Sequence, residues 1–168
     1  SDIAMLGLGL KHPHVQADAY EESLIGLWHL DNDPIDAAGY QTVYLFGTPS
    51  FASGVLGPSM LLSGDDEILV SNQASLDPGG SFLSLLAWVK TTSSLQQVIL
   101  SKGSRGATGY ELRMSASGLV EFEKSGSSAD PVLTSSRKVN DGSWHFIAAV
   151  GLGSGMGIYI DGNLDAQN

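Results

Sequence analysis

The chain has 168 residues, 42% of them hydrophobic and only 15% charged, with 21 glycines and no cysteine. That is enough apolar residue for one domain with a packed core and too little charge for long solvated helices, and it excludes disulfide frameworks, Cys-based zinc sites and thiol nucleophiles. A formal net charge of -10 argues against nucleic acid and anionic membranes as partners, because their phosphates would be repelled.

The first 22 residues form an arm. Its apolar positions Ile3, Met5, Leu6, Leu8 and Leu10 are too few for a core, so the arm is expected either to dock on its own domain or to contact a partner. An acid precedes this stretch and a base follows it, the reverse of a secretory signal. Residues 17–23 offer one weak helical turn. From there short runs of Val, Ile, Leu, Phe, Tyr and Trp alternate with Gly, Pro, Asn, Asp and Ser punctuation, the pattern of an all-β sandwich. Strands are predicted over 24–30, 42–46, 60–63, 67–71, 81–90, 97–101, 110–115, 119–124, 132–135, 144–152 and 157–161. No apolar run is long enough to cross a membrane, which takes about 18 residues, so no membrane insertion is expected.

Two of these strands alternate cleanly. Tyr110, Leu112 and Met114 oppose Glu111, Arg113 and Ser115, and Val120 and Phe122 oppose Glu121 and Glu123 across the turn at 116–118, which predicts a hairpin with one wet face. Residues 82–89 and 144–150 are apolar throughout, which predicts central strands covered on both sides. Two stacked antiparallel sheets satisfy both patterns.

The motifs then follow in a specific order. Gly26-Leu27-Trp28-His29-Leu30-Asp31 precedes Asp36-Ala37-Ala38-Gly39, Leu61 through Val70 (LLSGDDEILV) and Ala87-Trp88-Val89-Lys90; Ile99-Leu100-Ser101-Lys102-Gly103, Gly109-Tyr110-Glu111-Leu112, Asn140-Asp141-Gly142-Ser143-Trp144-His145 and Ile158-Tyr159-Ile160-Asp161-Gly162 come after. This series resembles the laminin G-like jelly rolls of the concanavalin A-like lectin and glucanase superfamily. The resemblance implies a two-sheet antiparallel β-sandwich, a jelly roll, spanning residues 23–168. Members of this pattern continue past the Asp-Gly strand with further strands, whereas the sequence stops at Asn168. The sandwich is therefore expected to be incomplete at its C-terminal end, with the edge at 157–161 covered by further residues or by a neighbouring subunit.

Candidate chemistry is sparse. Glu121 and Glu123 are the best-spaced carboxylates for glycoside hydrolysis, but they do not match the Glu-x-Asp-x-x-Glu signature of glucanases that resemble this chain, and a wet strand face explains them. His12 and His14 lie in the arm, while His29 and His145 each follow a tryptophan; no nucleophile elbow is present. Trp28, His29 and His145 are the candidate ligand-binding residues. Asp31, Asp33 and Asp36 share one loop, and Asp65 and Asp66, beside Glu67, share another; such oxygen donors suit calcium, and jelly rolls resembling this one often hold it. No catalytic residue is expected. The chain reads as a non-catalytic binding or structural module of a surface-exposed assembly, such as a phage head decoration or tail-fibre protein of a virion, with protein partners or glycans. The alternative is a glycan-binding adhesion domain of a secreted or cell-surface protein, with a glycoside hydrolase third.

Overall fold

A computed structural model describes residues 3–6, 24–38, 41–72, 74–76, 82–103, 109–125, 132–152 and 155–168. In chain order its strands are β1 (Ile3–Leu6), β2 (Val43–Phe46), β3 (Ser50–Ser53), β4 (Pro58–Leu62), β5 (Glu67–Val70), β6 (Phe82–Lys90), β7 (Gln97–Lys102), β8 (Gly109–Met114), β9 (Leu119–Ser125), β10 (Val132–Lys138), β11 (His145–Leu152), β12 (Gly155–Ile160) and β13 (Asn163–Gln167). They form a seven-stranded sheet, β13-β12-β11-β6-β1-β4-β3, a four-stranded sheet, β10-β9-β8-β7, and a two-stranded ribbon, β2-β5. All pairings are antiparallel.

The core lies between the two larger sheets. Leu85, Ala87 and Val89 of β6, Ile147 and Ala149 of β11 and Ile158 and Ile160 of β12 meet Leu112, Met114, Val120 and Phe122 of β8 and β9. Each set follows the period of two that a pleated strand imposes. On the outer face of the large sheet Trp88 and Phe146, directly paired in register, bring their rings to 5.3 Å. Strands β6 and β11 are central, as their composition predicts, yet only their core-facing positions are fully buried; Leu86, Trp88, Phe146 and Ala148 are half-buried.

Strands β2 to β5 form one long bent hairpin. Phe46 pairs with Glu67 on one side of the bend and Ser50 with Leu61 on the other. At the corner the Asp66 carboxylate accepts hydrogen bonds from Thr48 N–H (2.7 Å), Ser63 N–H (2.9 Å) and Ser63 Oγ (3.3 Å). The hairpin thereby leaves the large sheet at β3 and β4 and reaches the other layer at β2 and β5. There Lys102 Nζ, at the end of β7, donates to Asn72 Oδ1 at 2.6 Å.

Four expectations are corrected. Residues 24–30 do not form a strand; they make a single bridge, Trp28 to Asp36, because the sheet position beside β4 and β6 belongs to β1. The edge at 157–161 is not open: Asp161 and Gly162, at φ 54° and 80°, make the tight two-residue turn that suits right-twisted strands, and β13 returns along β12. Asp165 of β13 also accepts from Ser136 N–H at 2.6 Å, tying the large sheet to β10. The third correction concerns the wet face of the β8–β9 hairpin, where Arg113 and Glu123 are each only 5% exposed. The fourth is β3, at 50–53, which lies where no strand is predicted. Of the N-terminal arm, Ile3, Met5 and Leu6 lie in a strand paired with β4 and β6 of the same chain; Leu8, Leu10, His12, His14 and residues 17–23 lie outside the described residues.

Candidate binding cleft

The segment leading to β2 is closed on itself by one buried carboxylate. Asp36, 3% exposed, accepts from the N–H groups of Leu27 (2.8 Å) and Ala38 (3.0 Å) through Oδ1 and of Gln41 (2.9 Å) through Oδ2. Three backbone donors that would otherwise be stranded are satisfied at once. Trp28 folds onto Gly26 so closely that a β-carbon there would collide with the indole, and Trp28 is half-buried rather than offered as a platform. Leu30 is buried at 3% and held at φ 56°, a left-handed conformation that costs a residue with a side chain about 1–2 kcal/mol. The strain, together with Asp33 Oδ1 accepting from Ile35 N–H at 2.9 Å, sets the turn at 31–33.

That turn faces the bent hairpin. Between them lies an open cleft of about 620 Å³, walled by Asn32 on one side and by Phe51, Ala52, Ser53, Gly54, Gly57 and Pro58 on the other. Every residue of β3 is exposed, and among the described strands β3 is hydrogen-bonded only to β4. The apolar exposure is large: Phe51 45%, Val55 38%, Leu56 69% and Ile35 64%, with Tyr44 52%, Phe46 50% and Leu69 45% on the ribbon beyond the corner. Along the sequence, formal charge over this stretch has one sign. Residues 24–72 hold six carboxylates and no lysine or arginine, and Asp31, Asp33, Asp65 and Glu67 are exposed.

The two candidate histidines differ in setting. His29 is exposed. The His145 side chain is 8% exposed, with Nδ1 3.0 Å from Asp161 Oδ2 and Nε2 3.2 Å from Asp141 Oδ1, so its ring links two turns. Burial raises the Asp161 carboxyl, but hydrogen bonds from His145, Phe146 N–H and Arg137 outweigh it and hold the group below the ordinary carboxylate value. Ser143 N–H and then His145 do the same for Asp141. Asp66 is lowered chiefly by Ser63 N–H, against a smaller cost of burial.

Among the described residues no three imidazole or carboxylate groups converge as a metal would need. The oxygens of Asp36 and Asp66 are engaged by the chain's own N–H groups, while Asp31, Asp33 and Asp65 are exposed. On the outer face of β8 and β9, Arg113 bonds Glu111 (2.5 Å), Glu121 (2.6 Å) and Glu123 (3.5 Å). Burial disfavours the guanidinium's charge, yet Glu111 and Glu121 hold its pKa above the ordinary arginine value. The Glu121 and Glu123 pair is thus spent on a counter-ion, unlike the free acid and base of a glycosidase.

The cleft residues escaped a reading by motif, since Phe51, Ser53 and Asn32 belong to none. A charge count along the chain would have found the region: all eight lysines and arginines lie outside 24–72. A laminin G-type family model described as concanavalin A-like lectin/glucanases superfamily matches residues 62–168. No curated protein and no solved structure matches the chain. The cleft residues Asn32 through Pro58 precede the matched segment, which takes in β5 to β13.

Proposed function

The chain belongs to the concanavalin A-like lectin/glucanase superfamily, in its laminin G branch, and on that fold we propose that it is a non-catalytic binding module working through protein contacts in a surface-exposed assembly, such as a virion or comparable particle. The observation that carries this reading is strand β3, paired among the described strands only with β4, with its cleft and its run of exposed apolar side chains. Monomeric proteins rarely leave such an edge and patch open without a use for them. The strongest candidate for catalysis, the glutamate pair of β9, is ion-paired with Arg113, which supports a non-catalytic role. The acidic, cysteine-free composition suits a soluble face displayed on a particle.

A glycan array and a panel of polysaccharide substrates test this together. No turnover and no glycan signal above background are expected. Hydrolysis that disappears in the Glu121→Gln, Glu123→Gln double variant would overturn the non-catalytic assignment. Glycan binding that disappears in Phe51→Ala would replace assembly by glycan adhesion as the function of the cleft.

A further inference from the structure

The cleft runs along a strand that, among the described strands, pairs on one side only, with β4. Gly54 donates its N–H to the Gly57 carbonyl at 2.7 Å, so 54 and 57 are a hydrogen-bonded pair. Antiparallel alternation then turns Ala52 and Ser50 toward β4, with which they are in register at Ser59 and Leu61, and leaves the N–H and C=O of Phe51 and Ser53 directed away from it. Phe51 and Ser53 both line the cleft. Natural edges are blunted by shortness, proline, bulges or charged side chains, lysine above all. Residues 24–72 hold no lysine, and the opposite wall carries Asn32 between the exposed Asp31 and Asp33.

Resting on the binding-module reading above, we propose that the β3 edge takes a short extended segment of a partner protein as an added antiparallel or parallel strand, and that this segment is basic, with apolar side chains alternating with lysine or arginine. Three features select that occupant. The backbone groups of Phe51 and Ser53 that point away from β4 match another strand's ladder. The exposed Phe51 ring takes alternate apolar side chains, since successive residues of the incoming strand point to opposite faces. The exposed Asp31 and Asp33 attract cations, and the chain's net charge of -10 repels a second copy. A glycan offers neither the ladder nor the positive charge.

The test uses the full chain and three labelled, end-capped octapeptides, alternating Lys-Val, Glu-Val and Lys-Pro, the last N-methylated at its lysines so that no backbone donor remains on either side, read by fluorescence anisotropy. The Lys-Val peptide is expected to bind, with affinity falling roughly tenfold as NaCl rises from about 50 to about 300 mM, because exposed charges are screened over that range. The Glu-Val peptide is expected to fail for charge and the Lys-Pro peptide for lack of ladder donors. Ser53→Pro removes one outward N–H but no bond to β4, so it is expected to abolish binding with an unchanged melting temperature; the Asp31→Lys, Asp33→Lys double variant is expected to weaken binding roughly tenfold. Equal binding of Lys-Val and Lys-Pro, undiminished binding by Ser53→Pro, or a concentration-dependent homodimer that Ser53→Pro dissolves would each overturn the proposal. The glycan array separates the two readings: a silent array with no Lys-Val binding sinks only the strand-addition proposal, whereas a Phe51-dependent array signal sinks the assembly reading itself.

Discussion

The two ends of the sandwich solve the problem of a sheet edge in opposite ways. At the β12–β13 end the chain turns through Asp161 and Gly162, lays β13 along the edge and ties it to the other sheet through Asp165 and Ser136. Charges there are paired: Arg137 reaches Asp161 at 2.8 Å, and His145 bridges Asp161 and Asp141. At the β2–β3 end β3 pairs, among the described strands, only with β4, the apolar side chains are exposed and residues 24–72 hold carboxylates but no lysine or arginine. Closure with paired charge holds a fold together, whereas openness with single-sign charge is what recognition needs.

The largest effect that would sharpen this contrast lies in the shared core. Phe122, fully buried between the sheets, is expected to cost about 3–5 kcal/mol when replaced by alanine, from lost burial and the cavity left behind; denaturant unfolding measures it. Next comes Arg113→Met, which leaves Glu123 buried beside Glu121 with the shared cation gone. A loss of about 3 kcal/mol is expected, and an unchanged midpoint would show the outer face of β8–β9 to be wet after all.

The closed end should also respond to pH. Asp141 and Asp161 have folded-state pKa values below the ordinary carboxylate value, so they bind protons more weakly folded than unfolded. Their contribution is therefore complete above the unfolded pKa, about 3.9, and is lost as pH falls through the folded values. Melting curves between neutral pH and about pH 3 are expected to fall less steeply in Asp161→Asn, which keeps a residue tolerant of the left-handed turn. Equal slopes would remove the ion network from the account of the closed end. The smallest effect belongs to the open end: Phe51→Ser, at 45% exposure, is expected to change stability by less than about 0.5 kcal/mol. A large loss would mean that Phe51 holds the fold instead of serving a partner.

The alternation of 110–115 and 119–124 places β8 and β9 and their core residues Leu112, Met114, Val120 and Phe122 directly, because a period of two is a local property. The same period cannot say that the opposite face is covered; Arg113 and Glu123 read as wet until their burial is known. Asp161-Gly162 was legible as a turn, yet β13 behind it was not, since the polar run Asn163–Gln167 takes its place from pairing with β12 and from Asp165. Trp28 and its neighbours show the reverse error, an apolar run that looks like a strand but has no neighbour to pair with.

Local chemistry by itself determined the all-β class, the turns and the inward faces of the central strands, since side-chain alternation and left-handed turn residues act within a few positions. Tertiary structure alone decided which edge is closed and which is open. Edge exposure depends on what distant segments pair with, and no local pattern encodes that β1 fills the gap between β4 and β6, that β13 pairs with β12, or that Phe51 and Ser53 of β3 line a cleft with Asn32.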